Sequence, residues 1–187
     1  MSEAHRKKKQ PEQVRRDLLD CTANIAAEFG FAKLTIEAVS KAAGVTKGGL
    51  LHHFPNKRAL IDAMVVDMLD QTDQYIDAYM AKDATVKGRF TRAYVAMTLN
   101  EENFNPLDPG CGIGMAMLAD PESMEHCLNW LSKRLALHKE TDSDPLLEII
   151  RFAADGAWMN FTAKRNAESV NQAQLIKKRL IELTLTL

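Results

Sequence analysis

Residues 46–57, TKGGLLHHFPNK, gather a hydroxyl, two lysines, two adjacent glycines and two adjacent histidines. These groups are not spaced for covalent chemistry. Neighbours on a helix point about 100° apart, so His52 and His53 do not converge on one metal ion. They can instead hydrogen-bond and pair with anions: lysine donates, threonine and histidine donate or accept, and glycine lets a rigid surface approach the backbone. Gly48 and Gly49 within a helix cost roughly 2 kcal/mol relative to alanine, and close approach to a partner would explain that cost. Elsewhere the chain has no His-Glu metal motif of the H-E-x-x-H kind, no nucleophile motif and no phosphate-cradling glycine loop. It therefore reads as a non-enzyme, with no cofactor and no metal implied.

The elements that must position this segment are short. Thr35 caps a helix whose inner face is Ile36, Val39 and Ala43, and Gly44 supplies the turn conformation that follows. Val45 tucks back, Thr46 caps the next helix, Leu50 and Phe54 form its buried stripe, and Pro55 ends it. Thr46, Lys47, Gly48, Gly49, Leu51, His52 and His53 are left to include the outward positions. A first helical turn bearing Thr and Lys also offers free backbone N–H groups to phosphate. The arrangement fits a recognition helix whose first residues meet base edges and backbone in a groove of double-stranded DNA.

Around this pair the chain reads as all-α. Ala, Leu and Met dominate over Val, Ile and the aromatics, and no alternating run makes a strand. PEQVRRDLLDCTANIAAEFG (11–30) predicts a first helix with Val14, Leu18, Cys21, Ile25 and Phe29 on one face and Gly30 at its end. Ahead of it, HRKKK (5–9) is a basic arm that either touches DNA or only solubilises. Asn56 caps a long fourth helix through residue 82, and residues 85–100 form a fifth. NPLDPGCG (105–112) predicts a loop, 113–119 a helix, and Asp120-Pro121 the start of another. Pro145 restarts the chain, and SVNQ (169–172) announces the last helix, giving about nine in all.

Charge is uneven. Residues 1–60 carry 11 Lys or Arg against 6 Asp or Glu, and the remainder 13 against 19. That is the balance of a polyanion-binding head on a solvated body. No stretch is apolar for long enough to cross a bilayer, and Cys21, Cys111 and Cys127 form no disulfide framework, so no membrane partner and a cytoplasmic location are expected. The cysteines are expected as small buried apolar residues. In the body, Met97, Met115, Trp130 and Trp158 are candidates for a ligand pocket or for plain core. Arg151 and Asp155, four apart on an apolar helix, need partners if buried: each other, or a ligand's polar group.

Residues 35–57, TIEAVSKAAGVTKGGLLHHFPNK, resemble the helix-turn-helix signature of TetR-family transcriptional regulators. The match runs through Thr35, Val39, Ala43-Gly44-Val45-Thr46, Lys47-Gly48, Leu50, His53-Phe54 and Lys57, and RFAADGAWMNF (151–161) looks like that family's sensor body. The resemblance implies a three-helix DNA-binding head with its arm (1–55), joined by the long helix to a ligand-sensing and dimerisation body (56–187). It implies phosphate contacts at Thr35 and Lys57, and Thr46, Lys47, Gly48, Gly49, His52 and His53 at or near the major groove. Leu51 replaces the family's usual Tyr; it cannot make the phosphate hydrogen bond, although it can touch a thymine methyl. The implied protein is a ligand-responsive repressor, a homodimer through its last two helices on a pseudo-palindromic operator, released by a small apolar or amphipathic effector. The residues themselves also leave open a helical interaction module or a pocket-containing enzyme that does not read DNA.

Overall fold

Three hydroxyl and amide caps set the first corner of the fold. The Thr35 hydroxyl accepts from the Ala38 N–H at 3.1 Å, that of Thr46 from Gly49 at 3.0 Å, and the Asn56 side chain from Ala59 at 2.9 Å. They open α2 (Ile36–Ala42), α3 (Lys47–His53) and α4 (Lys57–Met80), behind α1 (Pro11–Lys33). The computed structural model describes residues 11–101, 109–164 and 167–187; the basic arm at 5–9 and the first half of the 105–112 stretch, 105–108, lie outside these.

The chain continues through α5 (Arg89–Thr98), α6 (Pro109–Leu118), α7 (Pro121–Leu137), α8 (Lys139–Asp142), α9 (Pro145–Lys164) and α10 (Ala167–Thr184). The architecture is all-α, with one helix more than expected among the described residues. The extra one is the four-residue α8, too short to leave a periodic apolar pattern. Two helix starts move by four residues each. Helix α5 starts at Arg89 rather than 85, because the Arg92 guanidinium holds the carbonyls of Thr85 and Lys87 in a turn closed by Asp83. Helix α6 starts at Pro109, inside the expected loop, because its glycines serve packing. A Cβ added at Gly112 would lie 2.2 Å from the carbonyl oxygen of Ala27 in α1, so the two backbones touch.

Buried residues form three clusters. The first joins Leu18, Leu34, Val39, Leu50 and Phe54 of the head to Leu60 and Val65 of α4 and to Ile113 and Met117 of α6. At roughly 1.5–3 kcal/mol per buried aliphatic side chain, this cluster offsets the ordering of helices too short to persist alone. Gly44 (φ 66°) makes the α2–α3 turn in the left-handed conformation. Gly30 (φ 73°) kinks α1, so that Phe31 is buried while Phe29, expected on the inner face, is 49% exposed. The second cluster packs α5 against α9 and α10 through Leu99, Leu147, Ile150 and Leu180; the third packs α4, α5 and α7 around Phe90. Lys87 reaches both Asp144, just before α9, and the Leu187 carbonyl after α10, so the last two helices run antiparallel. No described helix is long and apolar enough to cross a membrane.

Candidate nucleic-acid interface and ligand cavity

Helix α3 hides one stripe and presents the other. Leu50 and Phe54 are buried, whereas Thr46, Lys47, Gly48, Leu51 and His52 are exposed and Gly49 and His53 half-buried. Thr35 is exposed at the start of α2, and Lys57 is half-buried at the start of α4, so the two flank α3 in the chain. The His53 ring packs 6.4 Å from that of Phe54 and meets His52 edge-on at 5.6 Å. A Cβ at Gly49 would press on the capping hydroxyl of Thr46 at 3.3 Å, which accounts for that glycine. Around Gly48 there is only open space, and its backbone is not left-handed. No internal contact therefore requires glycine at 48.

Two residues of this surface were not apparent from the sequence. Lys47 forms an ion pair with Glu37 of α2 at 2.6 Å, and its ammonium holds the Glu37 carboxyl below the usual carboxylate range. Both are exposed, so the pair is open to exchange with an anionic partner. The exposed Arg15 guanidinium of α1 lies 5.4 Å from the centre of the Phe54 ring at the end of α3. Behind the head, Arg58 in the first turn of α4 donates to Asp62 at 2.7 Å, to Asp120 at 2.8 Å and to the Ser123 hydroxyl at 3.1 Å. Burial works against the Asp120 charge, but hydrogen bonds from Ser123 and Arg58 hold its carboxyl below the usual range. This joint ties the head's exit helix to the start of α7.

A cavity of about 390 Å³ opens between α4, α5, α6 and α9. Met97, Asp155 and Trp158 line it, together with Met68, Thr72 and Tyr75, which fall on one face of α4. The other three candidates lie elsewhere. Met115 is 38% exposed and does not line the cavity. Trp130 donates its indole N–H to Asp73 at 2.8 Å, in the third cluster. Arg151 is buried beneath α5, donating to the Thr91 hydroxyl at 2.6 Å; Thr91 in turn donates to Asp142. So Arg151 and Asp155 have different partners. The Asp155 carboxylate accepts from the Tyr94 hydroxyl at 2.7 Å, and burial pushes both groups' pKa values up. Gly114 brings α6 close to Trp158, since a Cβ there would lie 2.7 Å from the indole ring. Cys21 and Cys127 are half-buried rather than fully buried, and burial raises the Cys127 thiol to about 11, well above reactivity at neutral pH.

A helix-turn-helix head whose outward face carries cations and an unexplained glycine, on a helical body with an internal cavity, defines the class of helix-turn-helix regulators. Comparison with known proteins gives the family. Residues 18–64 match the model of bacterial regulatory proteins, tetR family, and residues 88–185 match the tetracyclin repressor-like C-terminal domain. The chain belongs to the TetR family. It is 30% identical over 87 residues to the HTH-type transcriptional repressor KstR2 of Rhodococcus jostii, covering 44% of this chain and 43% of that protein. The chain spans about half the length of the curated relatives it matches. The fold is shared with a solved chain from Pseudomonas aeruginosa PAO1, at TM-score 0.73 and 14% identity over 97% of this chain and 95% of that one. It is shared too with the multidrug binding protein EbrR solved with malachite green, at TM-score 0.69 and 16% identity over 91% and 97%.

Proposed function

We propose that this chain is a ligand-responsive repressor that binds a pseudo-palindromic DNA operator as a homodimer. The observation that carries the reading is the outward face of α3, where Thr46, Lys47, Gly48, Leu51 and His52 are exposed together around a glycine that no internal contact requires. The first turn of α3 enters the major groove, with Thr35 and Lys57 on phosphates to either side. The head (1–55) and the body (56–187) act as separate functional units, although one core cluster joins them. Ile149, Phe152 and Met159 form an exposed apolar stripe along α9, and Gly156 on the same stripe has open space around it. Such a stripe pairs α9 and α10 with their copies in a second chain.

A small apolar or amphipathic effector enters the cavity between α4, α5, α6 and α9, its polar group met by Asp155. EbrR, of the same fold, was solved with malachite green, which supports a small-molecule site in such a body. Helix α6 borders that cavity at Gly114 and touches α1 at Gly112, so an effector that moves α6 moves the head. The effector acts only through differential affinity for two arrangements; a shift from 1:99 to 99:1 takes roughly 10⁴-fold. The protein acts in the cytoplasm and is not an enzyme.

The test is fluorescence anisotropy with labelled DNA from upstream of the protein's own gene, beside a scrambled duplex. With about eight phosphates neutralised by a dimer, log K falls against log salt with a slope of about −7. Tight, salt-sensitive binding that the scramble does not compete supports the reading. Failure to bind any duplex in a random-site selection overturns it in favour of an interaction module.

A further inference from the structure

A second and larger cavity, about 580 Å³, lies along the seam between head and body and shares no lining residue with the cavity beside Trp158. Its walls come from the kinked last turn of α1, the first turns of α4 and the end of α6. Phe31, Ile61 and Ala116, all buried, make it apolar, and Ala119 stands exposed at its rim. Three charged residues border it, and two are already committed. Arg58 is held by Asp62 and Asp120, and the same Asp120 oxygen also accepts from the Ser123 hydroxyl and N–H. Lys57 has no hydrogen bond or ion pair among the described residues. The cavity therefore presents apolar walls and one uncommitted cation.

We propose that this seam cavity is a second ligand site, taking a small amphipathic carboxylate. Its apolar part lies along Phe31, Ile61 and Ala116, and its carboxylate pairs with Lys57. The volume falls within the range of ordinary small-molecule sites, and the charge selects an anion over a neutral analogue. A ligand there touches α1, α4 and α6 at once and occupies the lysine assigned to a DNA phosphate. It therefore lowers DNA affinity by competition at Lys57; this regulatory consequence, though not the site itself, rests on the reading of the head as a DNA interface.

The test is calorimetric titration of the full chain, without DNA, using octanoate and, as the neutral probe, 1-octanol. The expected result is saturable octanoate binding, with octanol at least about tenfold weaker. Lys57→Gln erases that difference, and Ala119→Trp fills the rim and removes binding of both. Circular dichroism confirms that each variant is folded. Octanoate binding that survives both K57Q and A119W, or that never saturates, overturns the proposal. Anisotropy with DNA then examines the consequence separately: octanoate weakens DNA binding by the wild type and not by A119W. A failure confined to this second experiment leaves the site standing and removes its link to DNA.

Discussion

Lys47 enters any DNA complex from an existing partnership. In the free protein it is bound to Glu37, and that carboxylate stands on the surface a phosphate would approach. Glu37→Gln removes both the competitor and a repulsive charge, so DNA affinity is expected to rise several-fold at low salt and the gain to shrink as salt increases. Lys47→Gln should lower affinity and reduce the salt slope by about 1. Anisotropy titrations across salt check both, and an unchanged E37Q would remove Lys47 from the interface. In the body, burial raises the Asp155 pKa, so the folded state holds a proton that the unfolded chain has already released. Stability is then present below the unfolded value of about 3.9 and falls as pH rises through the higher folded value. Asp155→Asn should flatten that fall in urea midpoints measured upward from about pH 4. The caps at Thr35, Thr46 and Asn56 were legible in the sequence because a cap acts within three residues. The Lys47–Glu37 pair was not, since it spans the α2–α3 turn and depends on the angle between two helices.

Helix α6 shows where local reading loses its footing. Glycine and proline in 105–112 signal a loop by every short-range rule, yet the structure starts a helix at Pro109. The glycines carry a tertiary meaning instead. Gly112 admits the backbone of α1, and Gly114 admits the ring of Trp158. The two differ in what can yield. A Cβ at 112 meets main chain, whereas one at 114 meets a side chain with freedom to turn. Gly112→Ala is therefore expected to destabilise by about 1–3 kcal/mol, and Gly114→Ala by less, with its effect on effector affinity instead. Chemical denaturation ranks them, and the opposite order would show that α6 does not rest on the α1 backbone. The cavity was half visible in advance. Met97, Asp155 and Trp158 were singled out, but which face of α4 would meet them required the packing of α5 and α9. Arg151 looked like a ligand group because a buried guanidinium demands a partner; the partners lie in Thr91 and Asp142, on other elements.

At the scale of the molecule, head and body share a continuous core. The head cluster takes in Ile113 and Met117 of α6, Arg58 fixes α4 to α7, and Arg16 of α1 reaches Asp67 of α4 at 2.6 Å. The unpaired apolar stripe on α9 is the remaining large feature. Phe152, 65% exposed, lies on it. Phe152→Glu is expected to yield monomers in sedimentation velocity and to weaken operator binding at least about a hundredfold, since the second head then binds without the benefit of tethering. A dimer that survives F152E would move the interface off this stripe. The all-α class, the corner around Gly44 and the long fourth helix followed from periodicity and caps; the stripe on α9 needed the structure, because only packing shows which apolar residues remain uncovered.

The two tryptophans occupy different worlds. Trp158 borders the cavity between α4 and α9, while Trp130 is pinned to Asp73 on the other side of α4's packing. Intrinsic emission therefore combines one probe beside the proposed effector cavity with one that does not line it. A compound library can be surveyed on unlabelled protein, with Trp158→Phe as the blank that separates true occupants from inner-filter artefacts.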